Sequence, residues 1–97
     1  MKVLVITSEM KKSSLKLIKE LVLSNKKLSG SKIFFCCPEN FREEIDEDFD
    51  VFVADSRVGS FAQIKYWAKV KNKKFLVAVF EIIRIKKLPL YAGYSPN

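Results

Sequence analysis

Hydrophobic and polar positions form distinct blocks along the chain, and four of these blocks predict β-strands. Each is a continuous apolar run with β-branched residues, which is typical of a strand buried on both faces. The predicted strands are residues 2–7, 32–37, 50–55 and 75–80. Because apolar and polar positions do not alternate within these runs, they favour a parallel sheet that is covered by helices on both sides.

Three helices are predicted between these strands, because apolar residues recur there at helical spacing. The three helices are expected to begin at Ser13 or Ser14, at Pro38 and at Ser60. The second is a short acidic helix over residues 39–48. The side chains expected to face the sheet are Leu15, Ile18, Leu21, Val22, Phe41, Ile45, Phe61, Ile64, Trp67 and Ala68.

The element order β-α-β-α-β-α-β predicts one small three-layer α/β domain over all 97 residues. Right-handed crossovers favour a four-stranded, mainly parallel sheet in the order 2-1-3-4, as in flavodoxin-like and Rossmann-like folds. The second and fourth strands would then form the edges of the sheet. Residues 86–97 contain two prolines and a glycine and are predicted to form an irregular tail.

In a sheet of this order, ligands bind beyond the carboxyl ends of the strands, at the point where the strand order reverses. Here that switch point lies between the first and third strands. The candidate ligand-binding residues in the two loops that follow these strands, and at the start of the third helix, are Thr7, Ser8, Glu9, Asp55, Arg57, Gly59, Ser60 and Gln63.

The residue types in these loops suit a phosphorylated ligand. The beginning of a helix at Ser60 favours an anion, and Arg57 could add a bidentate contact. Asp55 and Glu9 could hold ribose hydroxyls or act as a base or nucleophile. The alternative is that Ser60 is only an N-cap and Asp55 only a turn residue. The glycine density of a P-loop or of a dinucleotide-binding fingerprint is missing.

Three segments of the chain resemble nucleoside 2-deoxyribosyltransferases and related nucleotide N-glycosidases. They are DVFVAD at residues 50–55, GSFAQIKYWA at 59–68 and KKFLVAV at 73–79, so the resemblance covers about a third of the chain. Those enzymes have a strand that ends in Val-Ala-Asp or a similar sequence, a Gly-Ser/Thr turn, and a Glu three residues after the Ser/Thr. The resemblance implies an α/β fold that binds a nucleoside or nucleotide.

The sequence departs from this family at the position that matters for catalysis. Gln63 stands where the resemblance places the catalytic glutamate, and an amide is not an effective nucleophile or carboxylate base. Lys65 and Lys74 replace a glycine and a proline of the family pattern, and too few residues follow Phe80 for the family's fifth strand and its helix. We therefore expect nucleotide binding without glycosyl transfer, and no catalytic residue is assigned.

A second hypothesis is nucleic-acid binding, because the charge is unevenly distributed over the chain. Residues 1–30 carry seven basic and two acidic side chains. Residues 31–60 carry three basic and eight acidic side chains, and residues 61–97 carry eight basic side chains and one acidic side chain. A basic segment with aromatic residues is what single-stranded nucleic acid requires. The residues expected at such a surface are Lys65, Trp67, Lys69, Lys71, Lys73 and Lys74. The alternative is a solvated amphipathic helix in a Lys-rich protein of thermophilic type.

Composition narrows the remaining classes of function. The absence of histidine and the single adjacent pair Cys36-Cys37 argue against a zinc site and a histidine-based triad, and no metal or cofactor is expected. Adjacent cysteines rarely pair, so we expect free thiols in a reducing, cytoplasmic environment. No run approaches the ~18 apolar residues of a membrane span, and a strand directly after Met1 argues against a signal peptide.

A third hypothesis is a protein-interaction module. The acidic helix or the apolar tail would contact the partner, and an exposed fourth strand would favour a homodimer.

Overall fold

The computed structural model describes residues 1–44, 48–55, 57–78 and 90–94. Its centre is a β-sheet in which five strands lie in the order β2-β1-β3-β4-β5. The strands are β1 (Lys2–Ile6), β2 (Lys32–Cys36), β3 (Val51–Asp55), β4 (Lys74–Ala78) and β5 (Leu90–Tyr94). The first four are parallel, so the predicted α/β fold and the strand order 2-1-3-4 are confirmed.

The fifth strand corrects the prediction of a wholly irregular tail. Leu90–Tyr94 pairs antiparallel with β4, and the register shifts between Phe75 and Leu76. β4 is therefore an interior strand, and the expected edge that favoured a homodimer is covered by the chain itself. Residues 79–89 and 95–97, which include the end of the predicted fourth strand, lie outside the described residues.

The described helices are α1 (Lys12–Leu23), α2 (Phe41–Glu44), which follows a single 3-10 turn at Pro38–Asn40, and α3 (Phe61–Val70). No helix in the described part of the chain is both long and apolar enough to cross a membrane.

The beginning of α1 and the length of the acidic helix differ from the prediction. Lys11 is the N-cap of α1, so Ser13 and Ser14 lie inside the helix and neither caps it. Ser14 is buried there. The acidic helix is shorter than expected, since Asp48 is not helical; Ile45 lies outside the described residues.

The sheet has a separate apolar layer on each face, as two-sided burial of its strands predicts. Leu4 and Phe52 point to the face that α2 and α3 cover, whereas Val3 and Val53 point to the face of α1. Phe41, Ile64 and Ala68 complete the first layer, and Ile18, Val22 and Leu28 complete the second. Leu15 is only half-buried. Because α1 lies on one face and α3 on the other, the loops after β1 and β3 diverge at the carboxyl edge of the sheet.

Candidate functional site at the carboxyl ends of β1 and β3

Thr7 and Asp55 lie side by side at the predicted switch point. β1 and β3 are neighbouring parallel strands, and the last pair in register is Ile6 with Ala54. Thr7 directly follows β1, Asp55 ends β3, and both are buried. The Thr7 hydroxyl donates to Asp55 Oδ2 over a long 3.5 Å. The sheet thus brings together two polar groups that are far apart in sequence.

Asp55 is the most heavily hydrogen-bonded side chain of the site, and its main partner is Arg57. Both Arg57 Nε, at 2.9 Å, and Nη2, at 2.6 Å, donate to Oδ2. The backbone amide of Arg57 donates to Oδ1 at 3.0 Å, which closes an Asx-type turn. The Asp55 side chain is fully buried, whereas 43% of the Arg57 side chain is exposed. Asp55 therefore holds the arginine at the surface of the site.

The loop after β1 is organised by Thr7 rather than by Glu9. The Thr7 amide donates to the Cys36 carbonyl over 3.1 Å. Its hydroxyl oxygen accepts from the Glu9 amide, also over 3.1 Å. Ser8 is exposed and Glu9 is half-buried in this loop. Thr7 thus serves as a structural link between the strands and the loop.

Ser60 stands at the N-cap position of α3 but does not cap it. Its backbone angles, φ −97° and ψ 24°, differ from the extended conformation of ordinary N-caps, and its side chain makes no capping bond. The Ser60 hydroxyl oxygen is buried and has no hydrogen-bond partner among the described residues. Gly59 beside it is exposed. A buried hydroxyl without a partner costs free energy, and a ligand atom could relieve that cost.

Gln63 contacts a residue that the sequence did not predict for the site. In the orientation that satisfies its hydrogen bonds, the Gln63 amide oxygen accepts from Arg42 Nε at 3.0 Å and from Nη2 at 2.9 Å. Arg42 lies on α2 and Gln63 on the first turn of α3, so the contact joins the two helices. The one signal for it in the sequence is that Arg42 is the only basic residue within the acidic segment 39–50.

The two cysteines are free thiols in different environments. Cys36 is buried and Cys37 half-buried. Burial, with smaller contributions from the neighbouring Glu44 and Cys37, raises the pKa of the Cys36 thiol to about 12. A thiol with such a pKa stays protonated at neutral pH and is a poor nucleophile. No group of three or more Cys, Asp or Glu side chains in the described ranges could hold a metal ion.

The residues predicted for nucleic-acid binding lie on α3 and just after it, and most face solvent. Lys65, Lys69, Lys71 and Lys74 are exposed. The half-buried Trp67 packs against the core. Lys73 Nζ lies 3.8 Å from a carboxylate oxygen of the exposed Asp48. Lys65 and Lys69 thus lie on the exposed side of α3, whereas Lys71, Lys73 and Lys74 follow the helix.

Comparison of this chain with protein-family models, with curated proteins and with solved structures finds no match.

Proposed function

We propose that this chain binds a nucleotide or nucleoside phosphate at the carboxyl ends of β1 and β3. The observation that carries the proposal is the buried Ser60 hydroxyl, which has no partner among the described residues and stands where α3 begins. The first amide groups of a helix have no intrahelical acceptor, and the helix dipole favours an anion beside them. A phosphate oxygen would accept from both the hydroxyl and these amides.

Arg57 supplies the charge for the same group. Asp55 holds its guanidinium through two donors, while 43% of the side chain stays exposed. An arginine that is already oriented loses less conformational entropy when it binds a phosphate. The ion pair thus supports a binding role for Arg57, with Asp55 as its positioning residue.

Glu9 is the better candidate for the sugar hydroxyls. Both Asp55 oxygens already accept hydrogen bonds from Arg57, so that carboxylate has little capacity left. Glu9 is half-buried on the adjacent loop, and its backbone amide is held by Thr7. We assign the ribose contact to Glu9 and the phosphate contacts to Arg57 and Ser60.

Binding is proposed without glycosyl transfer. Gln63 has no carboxylate, and its amide oxygen already accepts from two nitrogens of Arg42. Neither property suits a nucleophile that attacks a sugar carbon. The buried Cys36 cannot replace it, because its raised pKa keeps the thiol protonated.

The test is a thermal-shift and calorimetric screen with nucleosides, nucleoside monophosphates and nucleoside diphosphates at 50 and 300 mM salt. A ligand at 100 times its dissociation constant stabilises the folded state by about 2.7 kcal/mol. We expect a phosphate-bearing nucleotide to stabilise the protein at both salt concentrations and the bare nucleoside to bind more weakly. A screen without any stabilising nucleotide contradicts the proposal.

Three variants locate the site. Arg57→Lys keeps a positive charge but cannot make the two-donor contact with Asp55 that orients the guanidinium, and we expect the dissociation constant of the nucleotide to rise about tenfold. Ser60→Ala removes the hydroxyl that has no partner among the described residues, and it should weaken phosphate binding without lowering stability. The matched control is Ser13→Ala, which removes an exposed hydroxyl on α1 at the other face of the sheet. Equal binding by all three variants contradicts the assignment.

A further inference from the structure

The outward face of α3 combines exposed apolar side chains with lysines. Ile64 and Ala68 are buried against the sheet, and Phe61 and Trp67 pack at the border of the core. Ala62, Tyr66 and Val70 are four residues apart and therefore share the opposite face. Among the described residues, Tyr66 at 61% and Val70 at 54% are the most exposed large hydrophobic side chains. They lie one turn apart on the same face of one helix.

Tyr66 is held in place although it faces solvent. Its ring meets the ring of Trp67 edge to face, with centroids 5.8 Å apart and an interplanar angle of 72°. Trp67 in turn packs against the core. The tyrosine is therefore an exposed ring with restricted orientation, which is suited to stacking because little conformational freedom remains to be lost.

Lysines accompany this ring along α3, in a segment of the chain without acidic residues. Lys65 and Lys69 are exposed one turn apart on α3, and Lys65 Nζ lies 5.9 Å from the centre of the Phe61 ring. Residues 57–78 contain six basic side chains and no acidic one. The side chain of Asp48, which reaches Lys73 at 3.8 Å, is 94% exposed. This segment is therefore positively charged throughout, while the acidic Glu43 and Glu44 lie on α2, which covers the same face of the sheet.

We propose that this face, formed by Tyr66, Lys65 and Lys69, is a docking surface for single-stranded nucleic acid. A polyanion with planar bases matches both features, since phosphates would contact the lysine ammonium groups and a base would stack on Tyr66. An acidic polypeptide would match the charge but would leave the aromatic ring without a specific partner. None of these three residues is among those assigned to the nucleotide site, so separate variants test the two proposals.

The experiment uses Trp67, the one tryptophan of the chain, as a reporter because its ring contacts Tyr66. Its fluorescence is followed during titration with a thymidine 12-mer, with an abasic 12-mer of equal charge, and with polyglutamate. We expect quenching and tight binding with the thymidine 12-mer and weaker binding with the other two. Equal affinity for all three overturns the proposal in favour of an acidic partner, and no binding overturns it outright.

Variants separate stacking from charge. Tyr66→Ala should weaken binding of the thymidine 12-mer about tenfold, whereas Tyr66→Phe should retain it. Lys65→Ala with Lys69→Ala should reduce the slope of log affinity against log salt by about 1.4, as for two phosphate contacts on a single strand. The matched control replaces Lys16 and Lys19, which are exposed on α1. Equal effects of the two lysine pairs overturn the proposal, because they would show a response to net charge alone.

Discussion

Asp55 and Arg57 form an ion pair that bridges one turn of the chain, with Arg57 Nη2 2.6 Å from Asp55 Oδ2. The carboxylate is completely buried, while the guanidinium reaches the surface. One buried group therefore shapes the loop after β3 through the Arg57 amide and also orients the charge that the loop presents.

Asp55→Asn should lower the free energy of unfolding by about 1–3 kcal/mol, because the buried position loses charge-assisted hydrogen bonds to Arg57. The partial exposure of Arg57 and the resulting solvent screening keep the effect below that of a fully buried pair. Urea denaturation monitored by Trp67 fluorescence measures it. The control is Asp50→Asn at an exposed carboxylate that accepts from the Lys2 amide; we expect less than about 0.5 kcal/mol there. Equal losses in the two variants would refute a special role for Asp55.

Gln63→Glu should stabilise the protein by about 0.5 kcal/mol at low salt, because the new carboxylate would face the Arg42 guanidinium. The gain should vanish in 1 M salt, where the screening length falls to about 3 Å. A double-mutant cycle with Arg42→Gln isolates the pair. A gain that persists without Arg42 would mean that the two helices are not joined by this contact.

Cys37 should react with a thiol reagent in the folded protein at pH 8, whereas Cys36 should react only after unfolding. Burial both blocks access to Cys36 and raises its pKa to about 12. Mass spectrometry of Cys36→Ser and Cys37→Ser proteins after timed labelling distinguishes the two sites. Fast labelling of Cys36 under native conditions would contradict the buried position.

The raised pKa of Cys36 also predicts a dependence of stability on pH. The unfolded thiol loses its proton near the ordinary value of 9.0, before the folded one does. The contribution of the buried, protonated Cys36 thiol to the free energy of unfolding is therefore fully present below pH 9, and it is lost as the pH rises toward 12. Between pH 9 and 11, the free energy of unfolding should fall more in the wild type than in Cys36→Ala. Parallel curves for the two proteins would contradict the shift.

Gly30→Ala should destabilise the protein by about 1 kcal/mol, whereas Gly59→Ala should leave stability nearly unchanged. A methyl group added at either glycine would have open space around it, with no atom beyond the chain neighbours within 4 Å. Only Gly30 has a left-handed φ, at +81°, which a side chain makes unfavourable. Thermal and urea unfolding of the two variants give the comparison. A similar loss at both glycines would show that space, and not backbone conformation, decides the outcome.

The positions of the first four strands and their order in the sheet follow from local sequence signals. Each apolar run is long enough for one strand, and two-sided burial favours parallel neighbours and covering helices. Right-handed crossovers then leave few strand orders. The antiparallel β5 was missed because Pro89 and Gly93 indicate irregular structure locally, whereas pairing with β4 is a non-local contact.

The sequence by itself determined the positions of the first four strands and their order, and it brought Thr7 and Asp55 to one edge of the sheet. Only the tertiary structure decided which groups meet there. In the folded protein, both Asp55 oxygens accept hydrogen bonds from Arg57, and Arg42 donates to Gln63. The Ser60 hydroxyl has no partner in the described part of the chain. The physical reason is that strand formation follows from the burial of neighbouring residues, whereas hydrogen-bond partners depend on the distances and orientations that packing between separate elements creates.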